Sequence, residues 1–276
     1  MAPHKPRLID KEISQGELGE KRVSVLCLGM CRTGTSSLLA ALTALDYTPV
    51  HMSSIIEDSR QKRLWIEAIE NTFINKDTGR PYGRAEFDVL LRGYDVTLDV
   101  PCAIFGEQLM AAYPEAKVIL TTRPAGKWIT SMQKTVWQFI TWPSFRILRY
   151  LEPEFIGTFH RLLELIFLVH NGNHYGGEEA EQAYLAHNDR IRELAGPGRL
   201  LELSPPFDIK KLSSFLGKPC TLSDFPHVND TNECIESLYR RRNQSLALVM
   251  KRLGKIVLIC LPLAFPLVYN YATKQG

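Results

Sequence analysis

The sequence predicts an α/β fold of three layers, with helices on both faces of a central parallel sheet. Short, nearly continuous apolar runs read as strands buried on both faces, and segments of helical pattern separate them. Scale is the other observation: 276 residues, 45% of them hydrophobic, can bury one large core. VSVLCLG (23–29) is the first strand, MCRTGT a glycine-containing loop, and SSLLAALTAL (36–45) a helix. A second short strand is expected near YTPVHM, followed by a helix over 60–73 and a Gly/Pro/Asn/Asp loop over 75–84. A strand over 94–100, a helix over 104–113, a strand over 116–122 and a helix over 126–139 continue the alternation. A helix over 178–194, a strand over 198–203 and a helix over 208–216 complete a single domain placed at 23–230. Residues 1–22 are polar and read as a flexible N-terminal arm with no secretory signal.

Composition excludes several classes. The apolar and aromatic content rules out a disordered or collagen-like chain. Thirty-three Lys and Arg against 30 Asp and Glu leave a formal charge of +3, too little for a nucleic-acid partner that demands a concentrated basic face. Six cysteines, at 27, 31, 102, 220, 234 and 260, follow no metal-ligand or disulfide spacing, so reduced thiols and no metal site are expected.

The stretch 137–171 is rich in aromatic and aliphatic residues and reads as two or three helices broken at Pro143 and Pro153. It serves either as a helical layer on the sheet or as a wall that accepts an apolar substrate or touches a membrane.

Chemistry concentrates in Gly29-Met-Cys-Arg32-Thr33-Gly34-Thr35-Ser36, between the first strand and its helix. A helix N-terminus there offers unpaired N–H groups and the positive end of the helix dipole to an anion. Gly34 lets the backbone curl, and the hydroxyls of Thr33, Thr35, Ser36 and Ser37 add donors. Gly29, Gly34 and Ser36 stand in register with the phosphate loop G-x-x-x-x-G-K-[ST], but Thr35 replaces its lysine and the basic residue has moved to Arg32. That substitution argues against ordinary ATP or GTP hydrolysis. A dinucleotide loop is excluded because no second glycine follows Gly29 at the required spacing.

These residues resemble the P-loop-fold sulfotransferase-like family of fungi and animals. The loop Arg32-Thr-Gly-Thr-Ser is similar to the loop with which sulfotransferases hold the 5′-phosphosulfate of 3′-phosphoadenosine 5′-phosphosulfate (PAPS). Arg123 at the end of AKVILTT, with Ser131 eight residues on, resembles their pair for the 3′-phosphate. Further matches are His51-Met52, Asp99-Val-Pro101, Ala112-Tyr-Pro-Glu-Ala-Lys-Val-Ile-Leu120 and Phe225-Pro-His-Val-Asn-Asp230. The resemblance implies a three-layer P-loop-like fold, PAPS as co-substrate, and Gly29, Arg32, Thr33, Gly34, Thr35, Ser36, Arg123 and Ser131 as its binding residues. Arg32 departs from the lysine of many members, and no C-terminal R-K-G element is visible.

Sulfonyl transfer needs charge neutralisation on the leaving phosphate, which Arg32 supplies, and a base for the acceptor hydroxyl. Asp99, at a strand end 24 residues before Arg123, is the first candidate, although a helix N-cap is the other reading of it. His51 is the second, against a buried structural role, and Glu57 the third. The expected reaction is sulfonation of a hydroxyl on an apolar small molecule, plausible in secondary metabolism. The alternatives are an atypical P-loop nucleotide kinase or NTPase, with Asp99 as a magnesium ligand, and a non-catalytic membrane-anchored scaffold.

The chain closes with an apolar run over 256–272, preceded by Arg240, Arg241, Arg242, Lys251, Arg252 and Lys255. Residues 231–255 are expected to form a basic amphipathic linker helix and 256–272 a C-terminal transmembrane tail anchor. The charge bias places the catalytic domain in the cytosol, on a membrane such as the endoplasmic reticulum.

Overall fold

The computed structural model describes residues 6–15, 22–219, 222–228 and 230–272, with side chains to residue 258. Five parallel strands, β1 (Val25–Cys27), β2 (Pro49–Val50), β3 (Val96–Thr97), β4 (Lys117–Thr121) and β5 (Leu200–Leu203), pair in the order β2-β3-β1-β4-β5. Alternation along β1 splits the core in two. Val25 and Cys27 pack with Leu38, Leu42, Ile209 and Leu212 on one face. Leu26 and Leu28 join the larger cluster on the other, with Trp65, Leu109, Trp128 and Ile166. Both faces are therefore covered, as the apolar strands require.

This order puts a switch point beside β1, because the helices that follow β1 and β3 lie on opposite faces. A crevice opens there at the carboxyl ends of the strands, the usual ligand position in such sheets. The loops after β1, β2, β3 and β4 carry Arg32, His51, Asp99 and Arg123.

The expected elements recur with local changes. Residues 126–139 form two helices, Ala125–Lys134 and Val136–Thr141, parted at Thr135, which adopts a non-helical backbone while its hydroxyl bonds the Ser131 carbonyl. Pro143 opens the helix Pro143–Leu151, and Pro153 opens a π-helical turn before Thr158–Asn171, so both prolines do mark breaks.

The flexible arm is corrected in part. Leu8–Gln15 is a helix. Ile9 is fully buried in the main core, and Arg7 pairs with Asp10 and Glu86. A few scattered apolar residues in a mostly polar arm were too weak a signal to reveal that docking. Residues 1–5 and 16–21 of the arm lie outside the described residues.

The C-terminal segment is one continuous helix, Asp230–Ala272, rather than a linker followed by a separate span. Its side chains from 259 onward, and residues 273–276, lie outside the description, so most of the expected anchor does too. Among the described residues, no helix is long and apolar enough to cross a membrane.

Replacing Ile9 by Ala is expected to cost about 2–4 kcal/mol in denaturant unfolding, from lost burial plus a cavity. Ile13→Ala, on the exposed face of the same helix, should change stability by less than about 0.5 kcal/mol.

Candidate functional site

The loop after β1 is shaped by steric exclusion. A Cβ on Gly29 would lie 2.1 Å from Thr121 Oγ1 and 2.5 Å from its carbonyl oxygen, so only glycine lets β1 and β4 approach here. Arg32 takes a left-handed backbone (φ 67°), uncommon for a residue with a Cβ, and Gly34 follows at φ 97°. Gly34 also stands at the N-cap of the helix Thr35–Ala44, where no side chain caps the first turn. The helix dipole and those amides face the crevice.

Several contacts hold the loop. Thr33 is fully buried; its hydroxyl donates to the Met30 carbonyl and lies 2.6 Å from Thr121 Oγ1. Its expected role as a ligand hydroxyl is thereby corrected, since the side chain is spent tying the loop to β4. Ser37 Oγ likewise accepts the Val228 amide, docking the late Phe225–Val228 segment on the helix. Trp128 donates its indole N–H to the Cys31 carbonyl at 2.9 Å and stacks on Tyr184 at 4.4 Å. Tyr184 Oη in turn accepts the Arg123 amide. Neither aromatic was singled out in the sequence, although Trp128 falls just five residues beyond Arg123.

Arg32 and Arg123, expected as separate grips, converge. Arg123 Nη1 donates to the Arg32 carbonyl at 2.8 Å, and Arg32 Nε donates to Ser131 Oγ at 3.2 Å. Burial, and after it the charge of Arg32, push the Arg123 guanidinium below its ordinary value. Two neighbouring cations beside uncapped helix amides suit a polyanion, so the residues present fit a phosphosulfate donor.

The two base candidates form one unit. His51 caps the helix Met52–Glu57: its Nδ1 accepts the Ser53 amide at 3.1 Å, which leaves the ring proton on Nε2. Nε2 lies 3.1 Å from Asp99 Oδ2 and 3.3 Å from Thr35 Oγ1. Asp99 Oδ1 accepts the Val100 amide at 2.7 Å, and the residue is left-handed at φ 70°. The helix-cap reading of Asp99 is not what the side chain does: it points toward His51, while its backbone carbonyl accepts from Ala103.

Arg32, Thr35, Ser36, His51 and Asp99 line a cavity of about 550 Å³. Val136, Phe139, Phe159 and Leu163 form an apolar wall, so the aromatic-rich stretch serves both as a core layer and as a cavity lining. The opposite wall is the start of the helix Asp230–Ala272, through Glu233, Cys234, Ser237 and Leu238. Thr231 on this helix accepts from Arg32 Nη2 at 2.9 Å. Glu57, the third base candidate, instead pairs with Arg241 at the rim, and that guanidinium lies 3.8 Å over the Phe155 ring. Arg240 and Arg241 also line the cavity, a placement hidden in sequence by the apolar run that follows them.

Two imidazoles sit behind the loop. His187 Nε2 donates to the Leu28 carbonyl, and His170, stacked on Trp128, has its Nε2 buried without a partner. Burial lowers both, His170 from 6.5 to about 3, so the folded state keeps them neutral. Below pH 6.5 the unfolded chain takes up protons that the folded chain refuses, so this contribution to stability, complete above that pH, is lost as pH falls toward about 3. His170→Phe should flatten the loss in urea unfolding between neutral and acidic pH; an unchanged slope would show that His170 does not contribute.

The sequence profile of the sulfotransferase domain matches residues 24–234. A curated relative, "Ava biosynthesis cluster protein M" of Aspergillus versicolor, is 37% identical over 211 residues, covering 75% of this chain and 80% of its own. A solved structure, the sulfotransferase STF9 from Mycobacterium avium, aligns with 84% of this chain and 70% of its own at 14% identity and a TM-score of 0.37. Profile and curated relative agree with the site in place of the kinase and scaffold alternatives, and the chain belongs to the sulfotransferase family of enzymes.

Proposed function

We propose that the enzyme transfers the sulfonyl group of PAPS to a hydroxyl of an apolar small molecule, with Asp99 as base. The observation that carries this reading is one cavity with a cationic end at Arg32, the His51–Asp99 pair on its floor, and an apolar wall. When bound, PAPS supplies the sulfur electrophile and a phosphate leaving group.

The chain's own residues then have distinct tasks. Arg32 and the amides at the start of Thr35–Ala44 neutralise charge on the departing phosphate, and Arg123 with Ser131 adds donors for the second phosphate. Asp99 accepts the acceptor's proton as its oxygen bonds to sulfur and the S–O bond to phosphate breaks. His51 holds Asp99 Oδ2 through its Nε2 proton and fixes the carboxylate's direction. The apolar wall excludes water, which protects the donor from hydrolysis and strengthens each charge contact. A volume of about 550 Å³ suits a molecule of drug-like size.

The name of the Aspergillus relative supports a place in secondary metabolism. The apolar run over 256–272 and the basic residues before it support a C-terminal membrane anchor, with the catalytic domain on the cytosolic side, at the endoplasmic reticulum.

Arg32→Ala should abolish turnover with PAPS while thermal unfolding stays near wild type; full activity in that variant would overturn the donor assignment. Asp99→Asn should lower the rate at saturating donor by about 10²–10⁴-fold, the usual worth of a general base. His51→Gln should cost about tenfold in kcat with donor binding retained, as expected when a carboxylate loses its orienting partner.

A further inference from the structure

An exposed apolar surface lies outside the cavity, on two neighbouring helices. Pro143–Leu151 buries Phe145 and Leu148 but leaves Ile147 60% and Tyr150 76% exposed, with Leu151 beside them. On the C-terminal helix, Leu246, Met250, Leu253 and Val257 are also exposed, at a spacing that keeps them on one helical face. Single exposed apolar residues need no explanation, but a contiguous set does.

The two helices run side by side in the same direction. Trp142 meets Tyr239 with ring centroids 5.3 Å apart, and further along Arg252 Nη1 donates to the Leu151 carbonyl at 3.4 Å. Arg252 stands four residues before Ile256, where the apolar run starts. At 1.5 Å per residue that is a rise of about 6 Å, so the end of Pro143–Leu151 meets this helix about one turn before the run begins. Neither 143–151 nor 245–258 contains an acidic residue, while Arg146, Lys251, Arg252 and Lys255 are exposed. Glu164 borders Ile147 and Tyr150 as well, but it pairs with Arg149 at 2.7 Å. Exposed apolar side chains flanked by an excess of cations, near where a helix would enter lipid, match an interfacial surface.

We infer that the C-terminal end of this two-helix face, where the apolar run begins, rests on an anionic lipid surface and holds the catalytic domain against the membrane, with Ile147 and Tyr150 as the inserted side chains. The inference rests on the C-terminal anchor but goes beyond it, since an anchor alone would leave the domain free to swing. It also gives the helix two tasks: its first turns close the acceptor cavity and its later turns set the height of that cavity above the lipid.

The test uses the full chain synthesised with vesicles of about seven parts phosphatidylcholine to three of phosphatidylserine, recovered by flotation and footprinted with hydroxyl radicals. Leu185, exposed on the helix Gly177–Ala195, is the internal reference. Oxidation of Ile147 and Tyr150 relative to Leu185 should be at least about threefold lower on these vesicles than on phosphatidylcholine alone, and high salt should reverse the difference. A floated protein whose Ile147 and Tyr150 oxidise equally on both vesicles overturns the docked face and leaves the anchor standing. A chain that does not float overturns both. Protection without lipid that grows with protein concentration identifies a second copy as the occupant and overturns the lipid assignment.

Discussion

The Arg123 guanidinium, held against the Arg32 carbonyl beside the Arg32 guanidinium, is the constraint on which the site depends. Arg123 donates to the carbonyl of Arg32, and Arg32 turns its own side chain to Ser131. Like charges this close oppose each other, and burial adds to the cost on Arg123. The left-handed backbone at Arg32 adds strain on the order of 1 kcal/mol or more. A fold maintains such an arrangement only when its surroundings over-determine it. Here they do: Gly29 lets two strands meet, Thr33 is tied to Thr121, and Trp128 and Tyr184 brace the loop and Arg123 from behind. A bound polyanion would relieve that repulsion.

The acceptor side follows from the same sheet order. Since β1 and β3 adjoin at the switch point, the donor loop and Asp99 open onto one crevice, and β2 delivers His51 between them. Thr35 reaches His51 from the side of the loop after β1, so His51 touches both Asp99 and that loop. The C-terminal helix closes the remaining wall and binds Arg32 through Thr231, which couples cavity closure to the donor loop. The helix that walls the cavity with its first turns thus carries the exposed apolar face on its later ones.

The central strands, their order of appearance and the anion loop were legible because each rests on local chemistry: an apolar run, a glycine at a steric pinch, a cation at a strand end. The His51–Asp99 pair was legible only as two rival candidates, since residues 48 apart are joined by the pairing of β2 with β3 and not by any local pattern. Thr33 misled for a related reason: a hydroxyl in a phosphate loop looks like a ligand donor until the neighbouring strand is present to take it. Arg240 and Arg241 were read by the company they keep in sequence, beside an apolar tail, whereas packing sets both at the cavity and Arg241 over the Phe155 ring. Ile9 and Arg7 show the opposite failure, in which two side chains dock a segment whose composition reads as solvent-exposed.

The paired cations are tested most directly by isothermal titration of the full chain with 3′-phosphoadenosine 5′-phosphate and with AMP, repeated for Arg123→Ala. Wild-type protein should bind the bisphosphate at least about tenfold more tightly, a difference of some 1.4 kcal/mol, and Arg123→Ala should bring the two nucleotides to similar affinity. Equal binding of both by the wild-type protein, or an advantage that survives loss of the Arg123 guanidinium, would contradict the convergence of Arg32 and Arg123 on a single two-phosphate ligand.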